Sequence, residues 1–319
     1  MPLIKKITKT KETGVLIPLL LLWVVTFAVN HTFFTSTNMI ALFRTVSITL
    51  LGALGESFLF ACGNMDLSAG AVYGLSGMVT GIALKYWGLP TGVAILCGLL
   101  VGLAFGVING FIVNRFDIPA FIATLGTSYV ARGLCNVVTK GESIASLPES
   151  FTVLGGPGLF SIPWSIYIAA VLAIIVALVF KYTTFGRSLL AVGGNRETAR
   201  ICGINVKKVS SVAFVLTGLL CSLAGIISAA RLGASQASAG TGWEMTCIAA
   251  AIIGGVSMFG GSITIPGAVI GVALMETLTV SMTMLKVNAF WQKVAIGIVI
   301  ILAVGIDTYR RKHLSGGGK

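Results

Sequence analysis

Residues 90–114 read PTGVAILCGLLVGLAFGVINGFIVN and contain no Asp, Glu, Lys or Arg. Because an α-helix rises about 1.5 Å per residue, a run of this length crosses the ~30 Å hydrocarbon core of a bilayer. Four glycines recur within it at every fourth position: Gly98, Gly102, Gly106 and Gly110. Small residues on one face of a helix let two backbones pack closely in lipid. We therefore predict a transmembrane helix whose glycine face packs against another helix.

The composition extends this prediction to nearly the whole chain. Of the 319 residues, 56% are hydrophobic and 10% are charged, and the mean hydropathy is +0.98. This composition excludes a soluble globular domain, whereas a bilayer solvates such a chain. Ten apolar runs are candidate spans, at about residues 14–30, 39–62, 67–86, 90–114, 119–138, 163–181, 208–231, 245–258, 264–284 and 288–308.

The predicted fold class is an all-α, polytopic bundle of about ten transmembrane helices, with eight as an alternative count. The eighth run is short, and glycine-rich breaks alone separate the second run from the third and the eighth from the ninth. Re-entrant segments therefore remain an alternative to full crossings. Broken helices are predicted near 63–70 and 254–266, where GNMDLSAG and GGVSMFGG each place glycines seven residues apart.

Lysines and arginines predict the orientation. With an uncleaved first span and a cytoplasmic N-terminus, fifteen of them lie on the cytoplasmic side and five on the other. This asymmetry favours two cytoplasmic termini in a multi-pass protein of the inner (plasma) membrane. The predicted organisation is a basic N-terminus at 1–13, one membrane domain at 14–308 with a cytoplasmic loop at about 182–207, and a tail at 309–319.

The net charge of +12 does not indicate a nucleic-acid partner, because the basic residues lie between apolar runs rather than in an aromatic-interleaved module. The six cysteines form no CxxC pair, and the two histidines have no metal-ligand spacing. We therefore predict neither a disulfide framework nor a metal site.

The first predicted break carries polar side chains at membrane depth. Asn64, Asp66 and Ser68 follow Gly63, which frees the backbone from the preceding helix. Irregular polar backbone is tolerated in a membrane only when it is buried in protein or lines a cavity. Two interpretations stay open: Asp66 or Ser68 caps the next helix at the membrane boundary, or the break lines a solute path.

Ionisable residues inside apolar runs are a second signal of function, because a charge in lipid is costly. Arg44, Glu56, Arg132 and Glu276 lie within such runs, and Glu244 lies at the edge of one. The two arginines are near predicted helix ends, where snorkelling is the alternative. Glu56 is deeper and requires either a cavity, which we favour, or a protonated and hydrogen-bonded state.

The most basic loop lies at Phe185–Lys208 and reads FGRSLLAVGGNRETARICGINVKK. A short amphipathic helix is predicted from Arg196 to Cys202, and glycines at 193–194 and 203 end it. It places Arg196 and Arg200 on one face at i and i+4. Such a face docks a partner protein or binds anionic membrane lipid, and the two roles are compatible.

Five motifs together resemble the permease subunit of ribose-type sugar ABC importers. They follow the order of that family from about residue 34 to residue 307 and read NMDLSAGAVYGLSG, NGFIVNRFDIPAFIATLGTSYVARG, FGRSLLAVGGNRETARICGINV, AGTGWEMTCIAAAIIGGVSMFGG and WQKVAIGIVIILAVGID. One motif alone is weak evidence, but five in register are strong evidence.

The resemblance implies a set of partners and a mechanism. The partners are a cytoplasmic tandem ABC ATPase, an extracytoplasmic substrate-binding protein, and a second copy of the chain or a sister permease. Transport is expected by alternating access, with ATP and magnesium bound by the ATPase and no cofactor bound by this chain. The implied ATPase-coupling residues are Gly194, Asn195, Arg196, Glu197, Arg200 and Gly203, although Arg196 and Glu197 occupy variable positions of the motif.

Departures from the family pattern leave the solute and the dimer partner open. Thr246 replaces a common Asp, Thr45 a common amide and Glu56 an apolar residue, while GGSITIPG replaces a GG-x-G segment. These positions are expected near the path or the second permease. The residues assigned to a solute path are Arg44, Glu56, Asn64, Asp66, Ser68, Arg132, Glu244 and Thr246.

Two other functions are weighed against the importer. An ion-coupled secondary transporter would use Glu56 or Asp66 to carry the ion. A membrane-embedded enzyme is disfavoured because the chain has no G-x-S-x-G and no phosphate-binding loop motif. Pentoses, hexoses, inositol, sugar-derived signals and nucleosides all remain open as solutes.

Overall fold

The computed structural model describes residues 13–315, so residues 1–12 of the predicted N-terminus and residues 316–319 of the predicted tail lie outside the described residues. The described part contains thirteen α-helices, numbered here in chain order. They are α1 Thr13–Val29, α2 Ser36–Ala61, α3 Ala69–Lys85, α4 Thr91–Phe116, α5 Ala120–Thr139, α6 Glu149–Thr152, α7 Trp164–Tyr182, α8 Thr184–Gly194, α9 Arg196–Ile201, α10 Val206–Leu232, α11 Trp243–Ile253, α12 Ile265–Met284 and α13 Ala289–Ser315.

Each of the ten predicted spans corresponds to one helix, which confirms a polytopic helical membrane protein. Five of these helices, α2, α4, α7, α10 and α12, are individually long and apolar enough to cross a membrane. Helix α11 has only 11 residues, about 16 Å of rise, and does not cross a bilayer by itself. The short eighth run is therefore a partial span, the alternative that its length left open.

Helices α3 and α10 lie at the centre of the bundle, where most of their side chains are buried. The glycine face of α4 packs directly on α10. A Cβ atom at Gly102 would overlap Gly218 and Ser222, and one at Gly106 would lie 2.7 Å from the Phe214 carbonyl oxygen. The opposite face of α4 carries large exposed apolar side chains, as a lipid-facing surface requires.

The two predicted helix breaks meet in space. Helix α2 ends at Ala61 and α3 begins at Ala69, while α11 ends at Ile253 and α12 begins at Ile265. The backbone N–H of Gly261 donates to the carbonyl oxygen of Ala61 across 3.2 Å. The short glycine-spaced motifs thus mark two breaks that lie side by side.

The segment 233–242 is not helical and packs along α3, beside a row of glycines on that helix. Ser235 lies against Gly81, Ala239 against Gly74, and Gly240 against Gly70. Buried backbone groups of such a segment need partners. Ser235 exchanges two backbone hydrogen bonds of 2.8 Å with Ile144, and its hydroxyl donates to the Gly77 carbonyl oxygen at 2.7 Å.

The cytoplasmic loop predicted at 182–207 contains two helices where one was predicted. Helix α8 ends at Gly194, and α9 then forms most of the predicted amphipathic helix. The side chain of Asn195 caps α9 by accepting from the Thr198 N–H at 2.9 Å. Gly203 follows with φ of +83°, a left-handed conformation that ends the helix.

Candidate translocation pathway and coupling segment

The first break is held by a buried polar network centred on Asp66. One carboxylate oxygen of Asp66 accepts from the N–H and the hydroxyl of Ser68, at 2.7 and 2.5 Å. The Asn109 amide donates to the Ser68 hydroxyl at 2.9 Å and to the other Asp66 oxygen at 3.4 Å. Thr127 in turn donates to Asn109 at 2.7 Å. The network joins the break to α4 and α5.

This network corrects the capping prediction for Asp66. Ser68 occupies the position before α3, and neither its side chain nor that of Asp66 bonds to the first turn of the helix. Asp66 instead bonds to the residue two positions on, as Asp side chains do in turns. Asn109 and Thr127 were missed by the sequence analysis, because a single Asn or Thr in an apolar helix indicates no partner.

Glu56 is completely buried on α2 and faces the same break. One of its oxygens accepts from the Asp66 N–H at 3.3 Å, and the other has no hydrogen-bond partner among the described residues. The Asp66 N–H is thus one partner of this carboxylate, and the favoured prediction of a cavity around Glu56 stays a prediction. A role for Glu56 in solute transport stays a prediction.

Asn64 is half-buried at the start of the break. Its amide donates to the Ser210 hydroxyl on α10 at 3.1 Å. The Leu67 N–H donates to the Thr124 hydroxyl on α5 at 3.0 Å. Side chains from two neighbouring helices thus satisfy irregular backbone and amide groups, as burial in a membrane protein requires.

Arg132 and Glu244 lie beside the non-helical segment 233–242. The guanidinium of Arg132 donates to the carbonyl oxygens of Gly70 and Ala239, the former at 3.1 Å. It therefore satisfies backbone acceptors rather than snorkelling to the membrane surface. One carboxylate oxygen of Glu244 is buried against Gly70 and has no hydrogen bond to the described part of the chain. Thr246 is half-buried on the helix of Glu244, α11.

A second polar cluster lies halfway along α2, where four residues converge. The Thr49 hydroxyl donates to Glu276 on α12 at 2.7 Å, and the Trp243 indole N–H donates to Thr49 at 3.3 Å. The rings of Tyr73 and Trp243 pack against each other with centroids 4.5 Å apart and planes tilted by 33°. Thr49, Glu276 and Tyr73 are buried, whereas Trp243 is half-buried.

Two arginines lie in the neighbourhood of these residues. Arg231 is within electrostatic range of Tyr73, Glu276 and Arg44. Both arginines are half-buried, and the Nε atom of Arg44 is buried without a partner among the described residues. We call Arg44, Thr49, Tyr73, Arg231, Trp243 and Glu276 the central cluster; it draws on helices α2, α3, α10, α11 and α12.

Only two members of the central cluster were singled out from the sequence, Arg44 and Glu276. Trp243 and Tyr73 lie in quoted motifs, but an aromatic residue in an apolar run indicates packing before function. The contact between Thr49 and Glu276 joins positions 227 residues apart, and no local pattern predicts it.

The predicted ATPase-coupling residues lie at the surface of the protein. Arg196, Glu197 and Arg200 of α9 are exposed, whereas Ala199 is buried. A groove of about 680 Å³ runs beside α9, lined by residues 196, 197, 200, 203–207 and 117. Lys207 and Asp117 face each other across it at 3.9 Å. The exposed charges and the groove form a surface suited to a protein partner.

A comparison with models of known protein families identifies the family of this chain. Residues 38–304 match the model described as branched-chain amino acid transport system / permease component. The chain belongs to this permease family. It is therefore a multi-pass subunit of an ABC importer in the inner membrane, not an enzyme, and the ion-coupled alternative is not supported.

The permease is similar along most of its length to curated transport proteins. It is 37% identical to the D-allose transport system permease protein of Escherichia coli (strain K12) over 275 residues, 86% of this chain and 84% of that one. It is 35% identical to the L-arabinose transport system permease protein of the same strain, over 94% of this chain and 92% of that one. The autoinducer 2 import system permease protein of Photorhabdus luminescens is 32% identical, with 96% and 92% covered. No solved structure matches the chain significantly.

Proposed function

We propose that the permease translocates a sugar or sugar-like polar solute. The observation that carries this proposal is the similarity to allose, arabinose and autoinducer 2 permeases over most of both chains. The description of the matching family model, in contrast, names branched-chain amino acid transport. The full-length relatives support a sugar over an amino acid, because each is matched along more than four-fifths of its length.

The proposed mechanism needs partners that this chain does not contain. A separate tandem ATPase binds ATP and magnesium and docks at α9, while an extracytoplasmic binding protein delivers the solute. A second copy or a sister permease forms the other half of the path, and transport proceeds by alternating access. No cofactor is assigned to this chain. The exposed charges of α9 and the groove beside it support the docking site.

We propose that the solute passes the central cluster. A carboxylate accepts hydrogen bonds from solute hydroxyls, guanidinium groups donate to them, and an aromatic face packs on the apolar side of a sugar ring. The carboxylate and the aromatic face meet halfway along α2, the depth at which transporters bind their solutes, and the Arg231 guanidinium lies within electrostatic range of both. Glu56 lies farther along α2, and Asn64, Asp66 and Ser68 lie in the break that follows this helix.

Reconstitution tests the proposed function. The permease is reconstituted in proteoliposomes with its partner ATPase and its binding protein. Uptake of D-ribose, D-allose, L-arabinose and D-xylose is then measured, with leucine as the amino-acid control. We expect ATP-dependent uptake of at least one sugar that an ionophore does not abolish. Uptake of leucine alone, or uptake that needs no ATPase and collapses with the ionophore, would contradict the proposal.

Glu276→Gln tests the central cluster in the same assay. Glutamine keeps the oxygen that Thr49 binds, so the fold is retained, but the charge offered to the solute is lost. A charged hydrogen bond contributes about 1.5–3 kcal/mol, so we expect uptake to fall roughly ten- to a hundredfold. Glu142→Gln, an exposed glutamate in the loop after α5, is the matched control. If permease abundance falls as much as uptake, Glu276 is structural rather than solute-facing.

A further inference from the structure

Three backbone segments meet at Gly193 without a side chain between them. They are the end of α8, the end of α2 at Ala61, and the break between α11 and α12 at Gly260 and Gly261. A Cβ atom on Gly193 would overlap the Ala61 carbonyl oxygen and would lie 2.6 Å from the Gly261 nitrogen and 2.9 Å from the Gly260 Cα atom. We call these four residues the glycine junction.

The contacts of Gly260 and Gly261 also show that the glycine junction is tightly packed. A Cβ atom on Gly260 would lie 2.6 Å from the Gly193 Cα atom, and the Gly261 N–H donates to the Ala61 carbonyl oxygen at 3.2 Å. A side chain can relieve a close contact by changing its rotamer, but backbone atoms cannot. A displacement of one segment is therefore passed to the other two.

The position of the junction connects the docking surface with the break and the central cluster. Gly193 lies three residues before Arg196, the first residue of α9. Ala61 precedes the break that holds Asp66, and the 254–264 break leads into α12, which carries Glu276. One point of contact thus joins the surface helix to both broken helices.

We propose that Gly193 is a positioning residue that transmits movement of the ATPase-docked segment to both helix breaks. This inference rests on the proposed function, because it assumes an ATPase at α9. It assigns a specific contact to the coupling step: the absence of a side chain at 193 lets α8 touch both breaks at once. Gly126, an exposed glycine inside α5, has no neighbour among the described residues within 4 Å of its Cβ position.

Gly193→Ala and Gly126→Ala form a matched pair that tests the proposal. In proteoliposomes with the ATPase and binding protein, we expect Gly126→Ala to behave as the wild type. Gly193→Ala is expected to retain the ATPase and its ATP hydrolysis, while solute taken up per ATP hydrolysed falls at least about tenfold, or 1.4 kcal/mol of lost coupling. An unchanged ratio in Gly193→Ala would overturn the proposal.

Hydrogen exchange in the wild-type complex keeps the test decisive if Gly193→Ala folds poorly. We expect ATP binding to change the exchange of peptides 59–66 and 254–264 together, because both contain junction residues, and to leave peptide 140–147 unchanged. Exchange that does not respond in either junction peptide would contradict the proposal. A wild-type complex without ATP-dependent uptake would instead contradict the proposed function, so the two failures are distinguishable.

Discussion

Gly102→Leu is expected to remove nearly all folded permease. Gly102 lies at the closest approach of α4 and α10, where even a Cβ atom would overlap the Gly218 carbonyl oxygen and the Ser222 hydroxyl. Inserting a few methylenes into a packed core costs about 1–3 kcal/mol, and more where the backbone must move. Because the clash here is with backbone, the two helices must separate along their whole shared face.

The fraction of monodisperse protein after detergent extraction measures this effect. Gly133→Leu is the matched control, since Gly133 is also a glycine inside a bundle helix but has nothing within 4 Å of its Cβ position. We expect the control to elute as the wild type and Gly102→Leu to aggregate or be degraded. Equal monodisperse fractions would mean that α4 and α10 do not pack through this glycine.

The sequence predicted the helices well, because an apolar run of about 20 residues between polar boundaries has few alternatives in a bilayer. It also predicted both breaks, since Gly63 and the glycines at 254–261 interrupt otherwise continuous apolar runs. The glycine ridge of α4 was visible because its spacing is regular. The corresponding row on α3, with Gly70, Gly74 and Gly77, was overlooked because its spacing alternates between four and three.

The partners of polar residues could not be predicted from one sequence. Arg132 reads as a membrane-anchoring arginine until the segment 233–242 is placed beside it, because the carbonyl groups that it binds belong to residues 62 and 107 positions away. Glu56 likewise gives no sign in the sequence that it accepts from the Asp66 N–H, ten residues along the chain. In both cases the local pattern shows a costly charge, and only the tertiary packing shows which groups lie against it.

Arg200→Glu is expected to abolish co-purification of the permease with its ATPase. Arg200 is exposed on α9 and lines the groove beside it. A charge reversal at a docking surface removes an attractive contact and introduces a like-charge contact, which together cost several kcal/mol. At 1.4 kcal/mol for each tenfold change, affinity is expected to fall by about a hundredfold or more. Gly203→Asp should act similarly, because it places a carboxylate at the end of the same helix.

The alternative for this basic surface is a role in anchoring to anionic lipid, and the design of the experiment separates the two. Reversing one of the fifteen basic residues predicted to be cytoplasmic leaves the predicted orientation intact, so the variant should insert normally. Lys140→Glu carries the same charge change on the loop after α5 and should keep the ATPase bound. Normal complex formation by Arg200→Glu would exclude the docking role. Weaker binding of the purified variant to anionic vesicles would then assign the arginine to lipid, because headgroup attraction needs only positive charge whereas docking also needs the groove.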